Sequence, residues 1–253
     1  MSEMLTISID GKECTCKKGE YLYDVAKRNG IFIPTFCRSD AFEDHRACCR
    51  ICIVEVEEGG RTKVVTSCVY PVERECSVQT RSEKIMEERS VVMALLVHRA
   101  PEAPSFKNMV GRMGATETDR LVTLDGEKCI LCGLCVQACN ALGTGAISTV
   151  NRGTEKKIDT PYGKGSDACV GCLSCANVCP TGAIEYSETD TTRTIWNRDF
   201  ELVRCEECGT VMGTQDSVAF ANKTGDGGSS YAVCDECRKK HLADEMMATY
   251  RYV

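Results

Sequence analysis

The chain has 253 residues, 43% hydrophobic and 27% charged, with a formal net charge of −6. That is enough for two or three small cores, and an acidic balance with no basic stripe argues against a nucleic-acid partner. The N-terminal MSEMLTISIDGK has no basic region followed by an apolar one, and the longest apolar run, VVMALLV at 91–97, is too short for a bilayer core of about 30 Å. The 20 cysteines are therefore expected to serve metal or redox chemistry in the cytoplasm, not a secreted disulfide scaffold.

In chain order, TISIDGKECTC reads as two short strands around Asp10-Gly11, GEYLYDVAKRNG as a helix capped by Gly30, and IFIPTFC as the approach to Cys37. Cys14 and Cys16 lie two apart on one strand face and read as small buried hydrophobes, as does the isolated Cys76. The stretch CRSDAFEDHRACCRICIVEVEEGGRTKVVTSC sets Cys37, Cys49, Cys52 and Cys68 in a C-x11-C-x2-C-x15-C order, with the hairpin VEVEEGGRTKVV before the last. This is the grammar of one loop-held [2Fe–2S] site. It departs from the plant-type C-x4-C-x2-C spacing, and Cys48 competes for the second ligand position. Cys49 is preferred because it alone makes C-x2-C with Cys52.

SEKIMEERSVVMALLVHRAP reads as a helix, and the stretch from 101 to 120 as a connector rich in Pro, Gly and polar residues. Two runs at identical spacing follow. GEKCILCGLCVQACN carries Cys129, Cys132, Cys135 and Cys139, and DACVGCLSCANVCPTGAIEY carries Cys169, Cys172, Cys175 and Cys179. Three thiolates at C-x2-C-x2-C bend around one corner of a cube, and in two-cluster ferredoxins the fourth ligates the other cluster. One [4Fe–4S] set is then Cys129, Cys132, Cys135 and Cys179, and the other Cys139, Cys169, Cys172 and Cys175. Cysteines serving only as core residues would not repeat such a spacing, and the triple motif suits a cube better than one tetrahedral zinc. Pro180 is expected to stop the short helix that follows the fourth cysteine of the second run. The first run has Asn140 instead and is expected to turn through Gly143 and Gly145.

The tail holds RCEECGTV and, after TGDGGSS, VCDECRKK, so that Cys205, Cys208, Cys234 and Cys237 form a C-x2-C-x25-C-x2-C set. A positive φ available at Gly209 favours a zinc ribbon, and a fourth iron–sulfur cluster is the alternative. KKHLADEMMATYRYV, apolar at 242, 246 and 247, reads as a short docking helix or a solvated terminal one.

From about residue 4 to 190, the order of a strand-rich domain with CRICIVEVE, a helix and a two-cubane domain resembles the N-terminal part of the large iron–sulfur subunit of respiratory complex I. It is similar also to the diaphorase iron–sulfur subunits of NAD-linked hydrogenases and formate dehydrogenases. The resemblance implies an α+β chain with a β-grasp [2Fe–2S] ferredoxin domain (1–80), a helix and connector (81–120) and a bacterial-type two-[4Fe–4S] domain (121–192). A C-terminal zinc-ribbon-like module with its docking helix (196–253) would complete the chain. The family usually places a histidine and three cysteines before the cubane domain for one more cluster. Here His98 is followed by no cysteine until Cys129, so that cluster is expected to be absent and His98 to be a surface or interface residue. No Gly-rich dinucleotide fingerprint and no flavin or molybdopterin motif is visible. The chain therefore reads as a wire, an electron-transfer subunit of an NAD(H)-linked oxidoreductase. Its expected partners are a flavin/NAD(H)-binding subunit and a catalytic subunit such as a hydrogenase or formate dehydrogenase. A free-standing polyferredoxin, or a non-redox module built on the tail, is the alternative.

Overall fold

The computed structural model describes residues 3–250 apart from 43–45, 117 and 225–232, so most of the TGDGGSS stretch and the end of the terminal YRYV lie outside the described residues. The chain divides into two compact units, 1–138 with 177–183, and 139–176 with 184–253. This division cuts across the linear order of four modules inferred from the sequence.

In the first unit, β1 (Met4–Ile9) and β2 (Lys12–Lys17) form a hairpin whose turn residues Asp10 and Gly11 both have positive φ, 49° and 81°. That conformation matches the right-handed strand twist and explains the choice of Asp-Gly. α1 (Leu22–Arg28) buries Leu22, Val25 and Ala26, and Gly30, with φ 73°, follows its end. β3 (Ile53–Glu58) and β4 (Arg61–Thr66) pair across Gly59-Gly60, and β5 (Ser77–Gln79) lies parallel to β1 and antiparallel to β3. The strand order β2-β1-β5-β3-β4 gives a mixed five-stranded sheet over one helix, the arrangement expected of a β-grasp. Inward residues of the strands, Ile7, Ile9, Val54, Val56 and Val78, pack on α1, and Cys14 and Cys16 sit among them as small hydrophobes. Cys76 packs, partly buried, at the edge of this core.

α2 (Glu83–Arg99) starts at Ser82, whose hydroxyl accepts the Ile85 N–H at 3.3 Å. The stretch after it is more than a connector. It contains α3 (Phe106–Met113), whose Phe106 ring meets Phe36 edge-on at 5.2 Å. Those rings join Met93, Cys37, Cys49, Ile51 and Cys132 in a second core. The segment is hidden from sequence reading because it is short and carries Gly111 and three polar residues. His98 lies in the last turn of α2, with Nδ1 2.8 Å from Thr123 Oγ1 and its carbonyl accepting the Leu124 N–H. α4 (Leu134–Leu142) begins in this unit, and the division falls between Ala138 and Cys139.

In the second unit, β6 (Ser148–Val150) and β7 (Lys157–Asp159) form a small hairpin, and α5 (Ser174–Asn177) is a single turn that ends at the division. β8 (Tyr186–Glu188), β9 (Thr192–Ile195), β10 (Arg198–Arg204) and β11 (Val211–Thr214) make an antiparallel meander, followed by α6 (Gln215–Thr224) and α7 (Asp235–Tyr250).

Candidate functional site

Cys37, Cys49, Cys52 and Cys68 are all at most 3% exposed. The loop that brings them together bends at Ala47 and Arg50, both with positive φ, and is tied down through backbone carbonyls. Ser67 donates its N–H and its hydroxyl to the Cys52 carbonyl at 3.1 and 2.8 Å, and Arg38 Nη1 donates to the Cys68 carbonyl at 3.1 Å. The thiols interact as two pairs. Cys68 beside it brings Cys52 down to about 6, while Cys37 and burial push Cys49 up. The Cys49 N–H also points at Cys37 Sγ, 3.5 Å away. Cys48 too adjoins Cys37, which holds its thiol below the ordinary value, but it is exposed and donates to the Cys132 carbonyl at 3.3 Å. Two buried thiol pairs suit two irons, one pair on each.

The two repeated runs share a backbone feature invisible in their cysteine spacing. In each, the residues on both sides of the middle cysteine have positive φ: Leu131 (56°) and Gly133 (76°) in one, Gly171 (63°) and Leu173 (64°) in the other. Glycine and leucine exchange places between the runs. An alternation of right- and left-handed residues turns successive N–H groups into one concavity, a nest suited to an anionic group. A left-handed leucine costs about 1–2 kcal/mol, and such strain persists where the site demands it. Burial pushes the thiol of Cys132 up to about 12 and raises Cys129 and Cys169. Such thiols favour the ionised form only with positive charge among them, as bound iron would supply.

The fourth cysteines are handled alike despite the missing proline. Thr144-Gly145-Ala146 after Cys139 corresponds to Thr181-Gly182-Ala183 after Cys179, with Gly145 and Gly182 at φ 56° and 61°. Ala146 N–H donates to Cys139 Sγ at 3.2 Å and Ala183 N–H to Cys179 Sγ at 3.3 Å. Where the second run stops at Pro180, the first continues α4 to Leu142 and turns at Gly143, φ 92°. Despite their alternation in sequence, Cys129, Cys132, Cys135 and Cys179 fall in one compact unit and Cys139, Cys169, Cys172 and Cys175 in the other.

The second set lines a single cavity. Its wall includes Ile195, which falls between modules on sequence grounds, and Trp196, the first residue of the C-terminal module. The β9–β10 hairpin is fastened to the cysteine loop by arginines. Arg198 Nη1 donates to the carbonyls of Ser166 (2.9 Å), Asp167 (3.2 Å) and Cys169 (2.9 Å), while Nη2 pairs with Asp216 at 2.8 Å. Arg193, buried, donates to the Gly171 carbonyl at 2.7 Å. Gly171 itself abuts Phe200, so that a Cβ there would stand 2.8 Å from the ring.

In the tail, Cys205 and Cys208 sit in a knuckle between β10 and β11, with Gly209 at φ 70° donating to the Cys205 carbonyl at 3.0 Å. The second pair departs from the expected ribbon. A ribbon would place it on another hairpin, whereas Cys234 precedes α7 and Cys237 lies in its first turn. All four sulfurs lie within 4.8 Å of one another, and no other such group of metal-binding side chains occurs among the described residues. The separations are 3.7 Å for Cys205–Cys237 and 3.6 Å for Cys208–Cys234. A tetrahedral ion with arms of about 2.3 Å spaces its sulfurs by about 3.8 Å, so the quartet fits a single ion. Backbone N–H groups of Cys208 and Cys234 bring Cys205 down to about 6, as a thiolate ligand requires.

No helix among the described residues is long and apolar enough to cross a membrane. Residues 2–83 match the family described as "2Fe-2S iron-sulfur cluster binding domain", and residues 128–183 the "4Fe-4S dicluster domain". Over 215 residues, 73% of this chain and 36% of the relative, the sequence is 32% identical to the NADP-reducing hydrogenase subunit HndD of Solidesulfovibrio fructosivorans. It is 32% identical to the NADPH-Fe(3+) oxidoreductase subunit alpha of Geobacter sulfurreducens, over 72% of this chain and 24% of that protein. It is 26% identical to an NADH-quinone oxidoreductase subunit of Rhizobium meliloti, over 82% of this chain and 27% of that one. The chain thus spans roughly a third or less of these relatives' length. Among solved structures, a chain of an NAD+-reducing [NiFe]-hydrogenase in the H2-reduced state shares the fold, with TM-score 0.60 and 24% identity over 71% of this chain and 86% of that one. Residues 2–83 are therefore a [2Fe–2S] cluster-binding domain and residues 128–183 a [4Fe–4S] dicluster domain, in a chain similar to the iron–sulfur subunits of NAD(P)-linked hydrogenases and of NADH-quinone oxidoreductase.

Proposed function

We propose that the chain is the electron-transfer subunit of a multisubunit NAD(H)- or NADP(H)-linked oxidoreductase, with a flavin subunit on one side and a hydrogenase, formate dehydrogenase or similar catalytic subunit on the other. The observation that carries this reading is the distribution of the interleaved cysteines between two compact units, four to each, with a pair of left-handed residues in each run. Cys37, Cys49, Cys52 and Cys68 would hold the [2Fe–2S] cluster. Cys129, Cys132, Cys135 and Cys179 would hold one [4Fe–4S] cluster, and Cys139, Cys169, Cys172 and Cys175 the other. When bound, these groups supply one-electron redox chemistry. The chain's own contribution is to hold the thiolates, aim N–H groups at sulfur and exclude water. Cys205, Cys208, Cys234 and Cys237 would hold one zinc ion as a closed structural site, because their separations suit a single ion.

The test is anaerobic purification of the chain alone and with its co-purifying subunits. The chain alone should bind iron and sulfide for one [2Fe–2S] and two [4Fe–4S] clusters, and should not oxidise NADH or NADPH. The assembled complex should reduce all three clusters from the nicotinamide. Pyridine-nucleotide oxidation by the lone chain, or iron for a single cubane, contradicts the proposal.

A further inference from the structure

Trp196 is the single tryptophan of the chain, and it occupies an awkward place. With Asn197 it forms the two-residue turn between β9 and β10, and both residues have positive φ, 54° and 57°. Asparagine suits such a turn; tryptophan does not. Trp196 lines the same cavity as Cys139, Cys169, Cys172 and Cys175. The Nε1 atom is fully buried and has no hydrogen-bond partner in the protein. A buried indole N–H normally finds an acceptor. The acceptor available in the same cavity is cysteine sulfur, since Cys175 and Trp196 both line it. Arg198 and Arg193 anchor the two strands that carry the turn to the carbonyls of the same cysteine loop, so the ring is held in place from both sides.

We propose that Trp196 is a positioning residue for the second cubane, its Nε1–H donating to Cys175 sulfur or an adjoining sulfide and raising that centre's reduction potential. The inference rests on the assignment of Cys139, Cys169, Cys172 and Cys175 to a [4Fe–4S] cluster. Reduction adds one electron, and so one negative charge, with no bond made or broken and no proton transferred. A donor aimed at sulfur favours the more negative, reduced form. The ring also keeps water from this wall of the cavity.

The experiment uses the full chain and redox titration followed by electron paramagnetic resonance. Trp196→Phe keeps most of the ring and removes the donor. One cubane should become about tenfold harder to reduce, about 59 mV more negative for one electron, while the other cubane and the [2Fe–2S] centre stay where they were. Because the chain has one tryptophan, growth on 5-fluorotryptophan alters this site alone. Its more acidic N–H should move the same cubane in the opposite direction. Unchanged midpoints in both proteins overturn the inference, as does loss of the cubane in Trp196→Phe together with an unshifted potential in the fluorinated protein, which would make the residue packing only. Loss in the first with a positive shift in the second supports it. Fewer than two cubanes in the unaltered chain would instead overturn the ligand assignment beneath it.

Discussion

With zinc held by Cys205, Cys208, Cys234 and Cys237 as proposed, stripping it should release α7 and leave the rest of the second unit folded. α7 has 16 residues, and Cys237 is its only buried one. Leu242, Met246, Met247 and Tyr250 are all more than half exposed, and the His241–Glu207 contact to the knuckle is a surface pair of the kind worth at most about 1 kcal/mol. Ordering 16 backbones costs on the order of 16 kcal/mol before any hydrogen bond is counted, and isolated helices near this length are marginal. Structural zinc in small peptides contributes roughly 10–16 kcal/mol at neutral pH, so the metal decides whether the helix is held. Dividing the observed sulfur separations of 3.6 and 3.7 Å by the tetrahedral edge-to-arm ratio gives arms of about 2.2–2.3 Å, the zinc–thiolate length. The assay is hydrogen exchange read by mass spectrometry, before and after a zinc chelator, with the visible absorption of the clusters confirming that they survive. Peptides covering 235–250 should lose protection while the β9–β10 hairpin keeps it. Cys208→Ser, at an exposed ligand, should do the same without disturbing a core. Undiminished protection of α7 after zinc loss would refute the reasoning, and so would iron with acid-labile sulfide in place of zinc at this quartet.

Paired substitutions at two places separate neighbouring explanations. Cys49→Ser should abolish or reshape the [2Fe–2S] resonance, whereas Cys48→Ser should leave it nearly intact, since Cys48 is exposed and its sulfur is engaged with the Cys132 carbonyl; the reverse pattern would make Cys48 the ligand. Gly171→Ala sets a Cβ 2.8 Å from Phe200 and 3.0 Å from Thr214 at a left-handed φ, and should cost about 2–4 kcal/mol. Gly182→Ala, equally left-handed with nothing within 4 Å, should cost about 1 kcal/mol. Thermal melts of the two variants, with iron content as a second reading, check the difference.

Much of this is legible in the sequence where a short-range rule dictates the backbone. Asp10-Gly11 announces its hairpin, Gly59-Gly60 the next, and Ser82 the start of α2, because turn and cap chemistry is local. The duplicated cysteine spacing announces two equivalent sites for the same reason. What stays hidden depends on contacts without periodicity. Arg193 and Arg198 reach backbone carbonyls some twenty to thirty positions earlier, and an arginine on a strand looks like a solvated residue until its acceptors are known. Trp196 and the sheet around it consequently belong to no site on sequence grounds, and a module boundary at 192–196 falls inside the hairpin that walls the cavity. Phe106 escapes notice because one aromatic in a polar stretch gives no helical stripe. Leu131 and Leu173 give no hint of their left-handed backbone, since nothing but the surrounding fold imposes it.

The partition of the chain also governs how it can be made and cut. The path leaves the first unit after Ala138, returns at Asn177 and departs again after Ala183. A ribosome therefore delivers the last piece of the first unit only after threading 38 residues of the second, and Cys179 emerges when Cys139, Cys169, Cys172 and Cys175 are already out. On the proposed ligand assignment, the inner quartet of Cys139, Cys169, Cys172 and Cys175 could be filled during synthesis, while the outer one of Cys129, Cys132, Cys135 and Cys179 would wait. Neither unit can be expressed as one uninterrupted fragment, and on the same assignment a truncation ending anywhere between 140 and 178 would leave three outer thiols without their fourth. A maturation machinery that loads clusters in order of appearance would meet the inner site first.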